Sequence, residues 1–324
     1  MRAVYYEKNG AAYDVLRLDE IKTPVAGPGE VRVKLAASGV NPSDVKARQG
    51  TTRKIAWPQV IPHSDGAGVI DQVGSGVPSS RIGERVWVWN GQWKRAFGTA
   101  AEYIVLPAAQ AVRLPDDVSF EAGACLGIPA MTAVHAVTLA GAARDTTLFI
   151  SGGAGSVSQY AIQFAKMAGA KVITTISSEE KAKAARVAGA DHCIDYKRED
   201  VGARVMEITG KRGADAIIEL DFAANAKLIP GVLRPKGRAI VYGTGGDAAL
   251  PAPFCLTQSI TVEFFLVYEL DDIARERAVS TINAALAKGE LLNRVAQPTF
   301  PLSDTAAAHE AVERGSIGNV IVTM

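Results

Sequence analysis

One stretch constrains the fold of this chain more than any other, the run from Thr147 to Gly169. It reads as strand, tight turn, helix. Thr147 to Ser151 is a short β-prone apolar run, and Gly152, Gly153 and Gly155 permit a turn that residues with a Cβ resist. From Val157 to Ala168 the apolar spacing is helical, with Val157, Ala161, Phe164, Ala165 and Ala168 on one stripe and Gly169 placed to cap the end. A helix that opens on a glycine turn offers backbone N–H groups and the positive end of its dipole to an anion. The pattern is G-x-G-x-x-S, built from Gly153, Gly155 and Ser158, and a second β-prone run, Lys171 to Ile176, completes a βαβ unit. Ser158 stands where the dinucleotide fingerprint takes Gly or Ala for close helix–strand packing. The reading is a pyrophosphate held over the backbone of Gly153, Ala154, Gly155, Ser156 and Val157. The alternative is an ordinary βα turn with no ligand.

A length of 324 residues favours two domains over one, and 48% hydrophobic with 21% charged residues provides for a sizeable core. The formal net charge is +1 with no basic block, which leaves nucleic-acid binding without an electrostatic footprint. Cys125, Cys193 and Cys255 lie far apart, so neither a disulfide framework nor a zinc lobe of closely spaced cysteines is expected. The opening Met-Arg-Ala-Val-Tyr-Tyr lacks the apolar core of a signal peptide, and no uncharged apolar run reaches the ~18 residues of a membrane span. The expectation is a cytoplasmic protein with no membrane span.

Residues 1–124 read as β-rich. Val31, Val33, Leu35 and Ala37 alternate with Arg32, Lys34 and Ala36 as in a half-buried strand. Further strands are expected at 66–74, 82–89 and 100–107, with Gly and Pro between them, as in a compact barrel-like domain. From Cys125 strands alternate with helices. A helix is expected from Pro129 to Gly141, then the central βαβ unit, helices at 179–188 and 200–210, and strands at 191–196, 216–220 and 237–243. That order predicts a parallel, doubly wound sheet. Ser259 to Tyr268 reads as a strand at the end of that sheet, and an apolar edge at Ile260 to Tyr268 invites pairing into a homodimer. A helix at 271–288, a helix at 304–314 and a strand at 319–323 are assigned back to the first domain. The division is thus 1–124 with 269–324 as a discontinuous β-rich domain, and 125–268 as the dinucleotide-binding domain.

Several stretches coincide with one family. They are Ser38-Gly-Val-Asn-Pro-Ser-Asp44, Asp65-Gly-Ala-Gly-Val-Ile70 with Val73-Gly74, Gly83-Glu-Arg-Val86 and Ala122-Gly-Ala-Cys-Leu-Gly-Ile-Pro-Ala-Met-Thr-Ala133. The glycine turn, Ala188-Gly-Ala-Asp191 with Ile194-Asp-Tyr196, and Ala308-His-Glu310 with Gly318 follow in the family's order. The chain resembles the zinc-independent quinone oxidoreductase (ζ-crystallin-like) branch of the medium-chain dehydrogenase/reductases from end to end. The resemblance implies an α/β protein, a GroES-like β-rich catalytic domain plus a Rossmann domain, with NADPH as cofactor.

For the cofactor, a carboxylate at the end of the second strand would bond a ribose 2′-OH and favour NADH. The chain has Ser177 and Ser178 there, then Glu179, Glu180 and Lys181. The serines can bond a 2′-phosphate and Lys181 can supply charge, so NADPH is favoured over NADH. The resemblance adds Tyr196 at the phosphate end. It also places Thr132, Gly243, Thr244, Phe265, Leu266 and Asn319 along the cofactor. Asp221-Phe-Ala-Ala-Asn225 occupies a turn that relatives often build with Gly.

Zinc enzymes of the wider superfamily place a Cys where this chain has Asn41 and His-Glu where it has Ser64-Asp65, so no zinc is expected. His63, His135, His192 and His309 are given no metal or general-base role. Without a metal, hydride transfer suits an acceptor that is already electrophilic, a quinone or a conjugated enone. Asn41 is the candidate catalytic donor to the acceptor oxygen; its other reading is a turn-stabilising residue before Pro42. Two of Trp87, Trp89 and Trp93 are assigned to packing. The competing functions are quinone reduction, reduction of an enone or alkenal double bond, and NADPH binding without turnover, as in crystallin relatives.

Overall fold

The computed structural model describes residues 1–324. The chain divides into two compact units, Met1–Pro129 with Asn283–Met324, and Ala130–Ile282.

The first unit is built on the strand Glu30–Val40. It pairs antiparallel with Asp65–Val73 on one side; on the other its first half pairs with Tyr103–Pro107 and its last residues with Val320–Thr323. Arg85–Val88 and Ala111–Arg113 extend the sheet beyond Asp65–Val73, and Phe300–Pro301 extends it beyond Val320–Thr323. The alternation in the sequence is the cause of the packing. Val31, Val33 and Leu35 point inward onto Ile70, Val86, Val88, Ile104 and Leu106, while Arg32 turns outward to an ion pair with Asp71. Burying side chains of this size stabilises the unit by roughly 1.5–3 kcal/mol each. Trp87 and Trp89 are buried here, and the Trp87 indole N–H donates to Asn283 at 3.3 Å. The strand expected from Ala100 starts at Tyr103, because the Ala100 and Ala101 N–H groups are taken by the carbonyls of Pro62 and Thr99.

The second unit holds a six-stranded sheet. Its order is His192–Asp195, Lys171–Ile176, Thr147–Ile150, Ala214–Glu219, Leu233–Val241, Thr261–Phe264. Every adjacent pair is parallel. Counted along the chain this is third, second, first, fourth, fifth, sixth, the doubly wound arrangement in which direction reverses beside the first strand. Thr147–Ile150 is buried along its whole length, as a parallel strand covered on both faces must be. Phe149, Ile173, Ile194, Ile217 and Val241 form the core on one face.

Two local readings change. The helix Ser156–Met167 was expected to bury one stripe, but Ser158 through Ala165 are all buried, since the helix Met131–Leu139 packs on its second side. The strand expected over 259–268 is confined to Thr261–Phe264. Ser259 is in the left-handed region at φ +54 and ends a helix, Ala252–Gln258, with the Ile260 N–H closing back on the Cys255 carbonyl. A serine there carries none of the sequence signal that a glycine cap gives.

Candidate functional site

The glycine turn lies at the C-terminal edge of the six-stranded sheet, beside the point of reversal. Its inner side is closed. Gly152 is at φ +64 and donates its N–H to Thr175 Oγ1 at 2.9 Å; a Cβ there would stand 2.4 Å from Leu220 Cδ2. The Gly153 N–H bonds the Thr175 carbonyl at 2.9 Å, and a Cβ on Gly153 would meet Thr174 Oγ1 at 2.4 Å. Gly155 differs: a Cβ on it would meet nothing closer than the Gly152 carbonyl oxygen at 3.4 Å. The turn is therefore pressed onto the sheet at Gly153 and open at Gly155, the N-cap of the helix Ser156–Met167. An α-helix leaves its first N–H groups without carbonyl partners, and this one starts at the sheet edge with no side-chain cap. That is a cradle for a pyrophosphate.

Ser158 fits the position that normally takes Gly or Ala. Its hydroxyl donates to the Ser151 carbonyl at 2.8 Å, and the residue is 1% exposed. The extra oxygen is satisfied by the strand end that the helix packs against.

At the end of the second strand, Ser177 is half-buried and Ser178 exposed, and Ser178 caps the helix Glu179–Val187 by accepting the Lys181 N–H at 3.3 Å. Its O–H remains a donor toward solvent. Glu179 is engaged by Arg186 at 2.6 Å. Tyr196 follows the third strand, is exposed, and its N–H bonds the Ile176 carbonyl at 3.2 Å, so the structure brings it beside Ser177. On the other half of the edge, the Gly243 carbonyl accepts the Phe222 N–H at 3.0 Å, and a Cβ on Gly243 would stand 2.2 Å from the Leu220 carbonyl oxygen. Thr244 Oγ1 donates to the Gly246 carbonyl at 2.6 Å. Phe265 sets its ring edge on His135 with centroids 4.7 Å apart, Leu266 is exposed, and Thr132 is buried on the helix Met131–Leu139.

Sequence reasoning missed Glu219, which ends the fourth strand and is 3% exposed. One carboxylate oxygen accepts the Ser151 hydroxyl; the other accepts the Asp221 N–H at 2.6 Å and the Asn225 amide at 2.9 Å. It ties the glycine turn to the turn after the fourth strand. A lone Glu in an apolar strand, Ala-Ile-Ile-Glu, was the available signal.

Asn41 and Asn319 belong to the first unit and flank the Val40–Val320 pair. Asn41 is the N-cap of the helix Pro42–Gln49, and its backbone N–H bonds Asp44 at 2.8 Å. Its side-chain amide donates to Asp65 Oδ2 at 2.7 Å. The turn-stabilising role is thus occupied, while the amide's second N–H is a further donor. Asn319 donates to the Arg294 carbonyl at 3.1 Å and holds its own loop. Asp65 also accepts the Ile128 N–H at 2.7 Å. Burial pushes the Asp44 carboxyl up to about 7 against the hydrogen bond from Asn41, and burial likewise holds Asp65 well above the carboxylate range.

Behind this turn lies a buried histidine pair that the sequence did not reveal. His63 Nε2 and His309 Nε2 are 2.9 Å apart, and His63 Nδ1 is 2.9 Å from Ser38 Oγ. The protons can be assigned in order. Thr99 spends its hydroxyl proton on the Asp65 carbonyl at 2.6 Å, so it accepts from Ser38 at 2.7 Å. Ser38 therefore accepts from His63 Nδ1–H, His63 Nε2 is bare, and His309 Nε2–H donates to it. His309 Nδ1 is left as a buried acceptor with no partner. Burial drives His63 down to about 3 and His309 well below the usual imidazole range. Both rings are spent on each other, and no group of three or more His, Cys, Asp or Glu side chains is placed to hold a metal ion.

Comparison with known proteins matches residues 27–116 to the alcohol dehydrogenase GroES-like domain and residues 156–284 to the zinc-binding dehydrogenase family. A quinone oxidoreductase of Rattus norvegicus is 29% identical over 100% of this chain and 98% of its own length. A 2-haloacrylate reductase of a Burkholderia species is 28% identical over 99% of this chain and 98% of its own. The structure of the Escherichia coli quinone oxidoreductase complexed with NADPH superposes with a TM-score of 0.89 at 25% identity, covering 100% of both chains.

Proposed function

This chain belongs to the medium-chain dehydrogenase/reductase superfamily, in its quinone oxidoreductase branch, and from that premise we propose that it transfers hydride from NADPH to a small quinone without a metal ion. One observation carries the reading. The glycine turn sits open at Gly155 beside the point of strand reversal, and the second strand ends in Ser177-Ser178 with Tyr196 alongside and no carboxylate. The pyrophosphate lies over Gly153 to Val157. The 2′-phosphate would be held by Ser177, Ser178, Lys181 and the Tyr196 phenol, and the far half by Thr132, Gly243, Thr244, Phe265 and Leu266. Bound there, the cofactor supplies the hydride. The protein contributes position and a donor for the acceptor oxygen, which we assign to the second N–H of Asn41. The donor set at Asn41, Ser64 and Asp65 lacks the soft thiolate and imidazole that zinc prefers, which supports the metal-free reading. We place the reaction in the cytoplasm, a compartment that keeps thiols reduced, as the three free cysteines are here.

The relative named 2-haloacrylate reductase supports a second reading, reduction of a conjugated C=C bond. Steady-state oxidation of NADPH, with NADH in parallel, separates the two. Turnover with a small benzoquinone is the expected result. Turnover with an enone alone moves the assignment to double-bond reduction. Tight NADPH binding with no turnover on either panel overturns both and leaves a binding protein.

A further inference from the structure

Asp221 has no part in the binding scheme above, yet its place is specific. It stands two residues past the strand Ala214–Glu219, on the edge of the sheet where the glycine turn lies. It belongs to the half beyond the reversal. The residues for the ribose phosphate are on the opposite half, so a dinucleotide laid across the edge directs its nicotinamide toward the half that carries Asp221.

The carboxylate is fixed. Asp221 Oδ1 accepts the Gly245 N–H at 2.8 Å, which ties the turn after the fourth strand to the loop after the fifth. The Asp221 N–H is held by Glu219 at 2.6 Å, and the neighbouring Phe222 N–H by the Gly243 carbonyl at 3.0 Å. No Lys, Arg or His forms an ion pair with Asp221, and the residue is only half-buried. Its neighbour Glu219 is different: that carboxylate is sunk below the turn and receives three donors. Asp221 is therefore an anion at the rim, held by backbone and not neutralised by a cation.

Losing a hydride converts the neutral dihydronicotinamide ring into a cationic one, the two electrons and the hydrogen passing to the acceptor. A fixed negative charge on that half of the site interacts more favourably with the cation than with the neutral ring. We propose that Asp221 sets the redox preference of the site, its Gly245-anchored carboxylate stabilising bound NADP+ relative to bound NADPH and so making the bound cofactor a stronger hydride donor. This inference rests on the NADPH reading above.

The test is binding, not turnover. Dissociation constants for NADP+ and NADPH are measured by equilibrium dialysis on the full chain and on Asp221→Asn, which keeps an oxygen to accept the Gly245 N–H and removes the charge. The ratio Kd(NADP+)/Kd(NADPH) is expected to rise about three- to tenfold in the variant, as for one charge acting on another near a protein surface. A tenfold rise corresponds to a shift of about 30 mV in the potential of the bound two-electron couple. Asp221→Glu keeps the charge and is expected to hold the ratio within about twofold of the parent, a change of under 0.5 kcal/mol at 1.4 kcal/mol per tenfold. Asp221→Ser is the second neutral variant if the amide fails to fold. A ratio unchanged in the neutral variants, even with both constants weakened together, makes Asp221 a mere loop tie and overturns the inference alone. Failure of the parent chain to bind either form overturns the cofactor reading and the inference with it.

Discussion

The buried groups around Asn41 set opposing proton demands. His63 and His309 are held below their unfolded pKa of about 6.5, so between roughly pH 5 and 6 the unfolded chain binds about two protons that the native chain does not. Taken alone, that stability is present above the unfolded imidazole pKa and is lost as the pH falls. Asp44 and Asp65 are held above their unfolded pKa of about 3.9, so in the same window the native chain holds about two protons that the unfolded chain has released. Their contribution is present at low pH and is lost as the pH rises toward the folded value, about 7 for Asp44. The two pairs nearly cancel between about pH 5 and 6. Asp65→Asn removes one carboxyl while keeping polar partners for Asn41 and Ile128. Its unfolding free energy in urea, measured at several pH values across that window, is expected to fall on acidification about 1.4 kcal/mol per pH unit more steeply than the parent's. Parallel pH profiles for the two proteins would show that the buried protons are assigned wrongly.

At the scale of elements, the glycine turn separates packing from ligand approach. Gly153→Ala drives a Cβ into the buried Thr174 side chain, an overpacking that costs about 1–3 kcal/mol. Gly155 is at φ −73 with an open side, so Gly155→Ala is expected to melt within about 2 °C of the parent, since its cost stays under ~0.5 kcal/mol. It nevertheless places a methyl where a phosphate must approach, and NADPH affinity is expected to drop about tenfold or more, or ~1.4 kcal/mol. Thermal melts and NADPH titrations on both variants check the split; a Gly155→Ala protein that binds like the parent removes the pyrophosphate from this turn. This element was legible because its determinants are local: three glycines within four positions, flanked by a β-prone run and a helical stripe. The same holds for Val31, Val33 and Leu35, whose period of two follows directly from the pleat. The histidine pair was not legible, since 246 residues separate its members and each lone His reads as a packing residue. Glu219 and the tie from Asp221 to Gly245 were hidden for a related reason. Their meaning comes from loops that only the parallel sheet brings to one edge. The truncated sixth strand shows the limit of apolar runs, because Ser259 adopts the left-handed backbone without glycine to announce it.

For the whole molecule, the sixth strand has a consequence that the isolated chain does not satisfy. Thr261–Phe264 pairs with Leu233–Val241 on one side only and is the outer strand of its sheet. An edge strand presents unpaired N–H and C=O groups, and natural proteins shield such edges with charge, proline or a partner. Here the flank is apolar: Phe264 is 59% exposed and Leu266 48%. The Phe264 ring also packs edge-on against Phe222 at 5.1 Å, which holds its outer face toward solvent. Glu263, half-buried, is the one charge on the strand. A second copy of the chain meeting this edge about a two-fold axis would satisfy the backbone groups and cover both apolar side chains at once. We therefore expect a homodimer at micromolar concentration, with about twice the mass of the chain in light scattering. Phe264→Lys puts a cation at the centre of that contact and is expected to shift the protein to monomer while the second unit keeps its fold, because the side chain it replaces is 59% exposed. A parent chain that scatters as a monomer, or a Phe264→Lys variant that remains a dimer, would mean that this edge is covered in some other way.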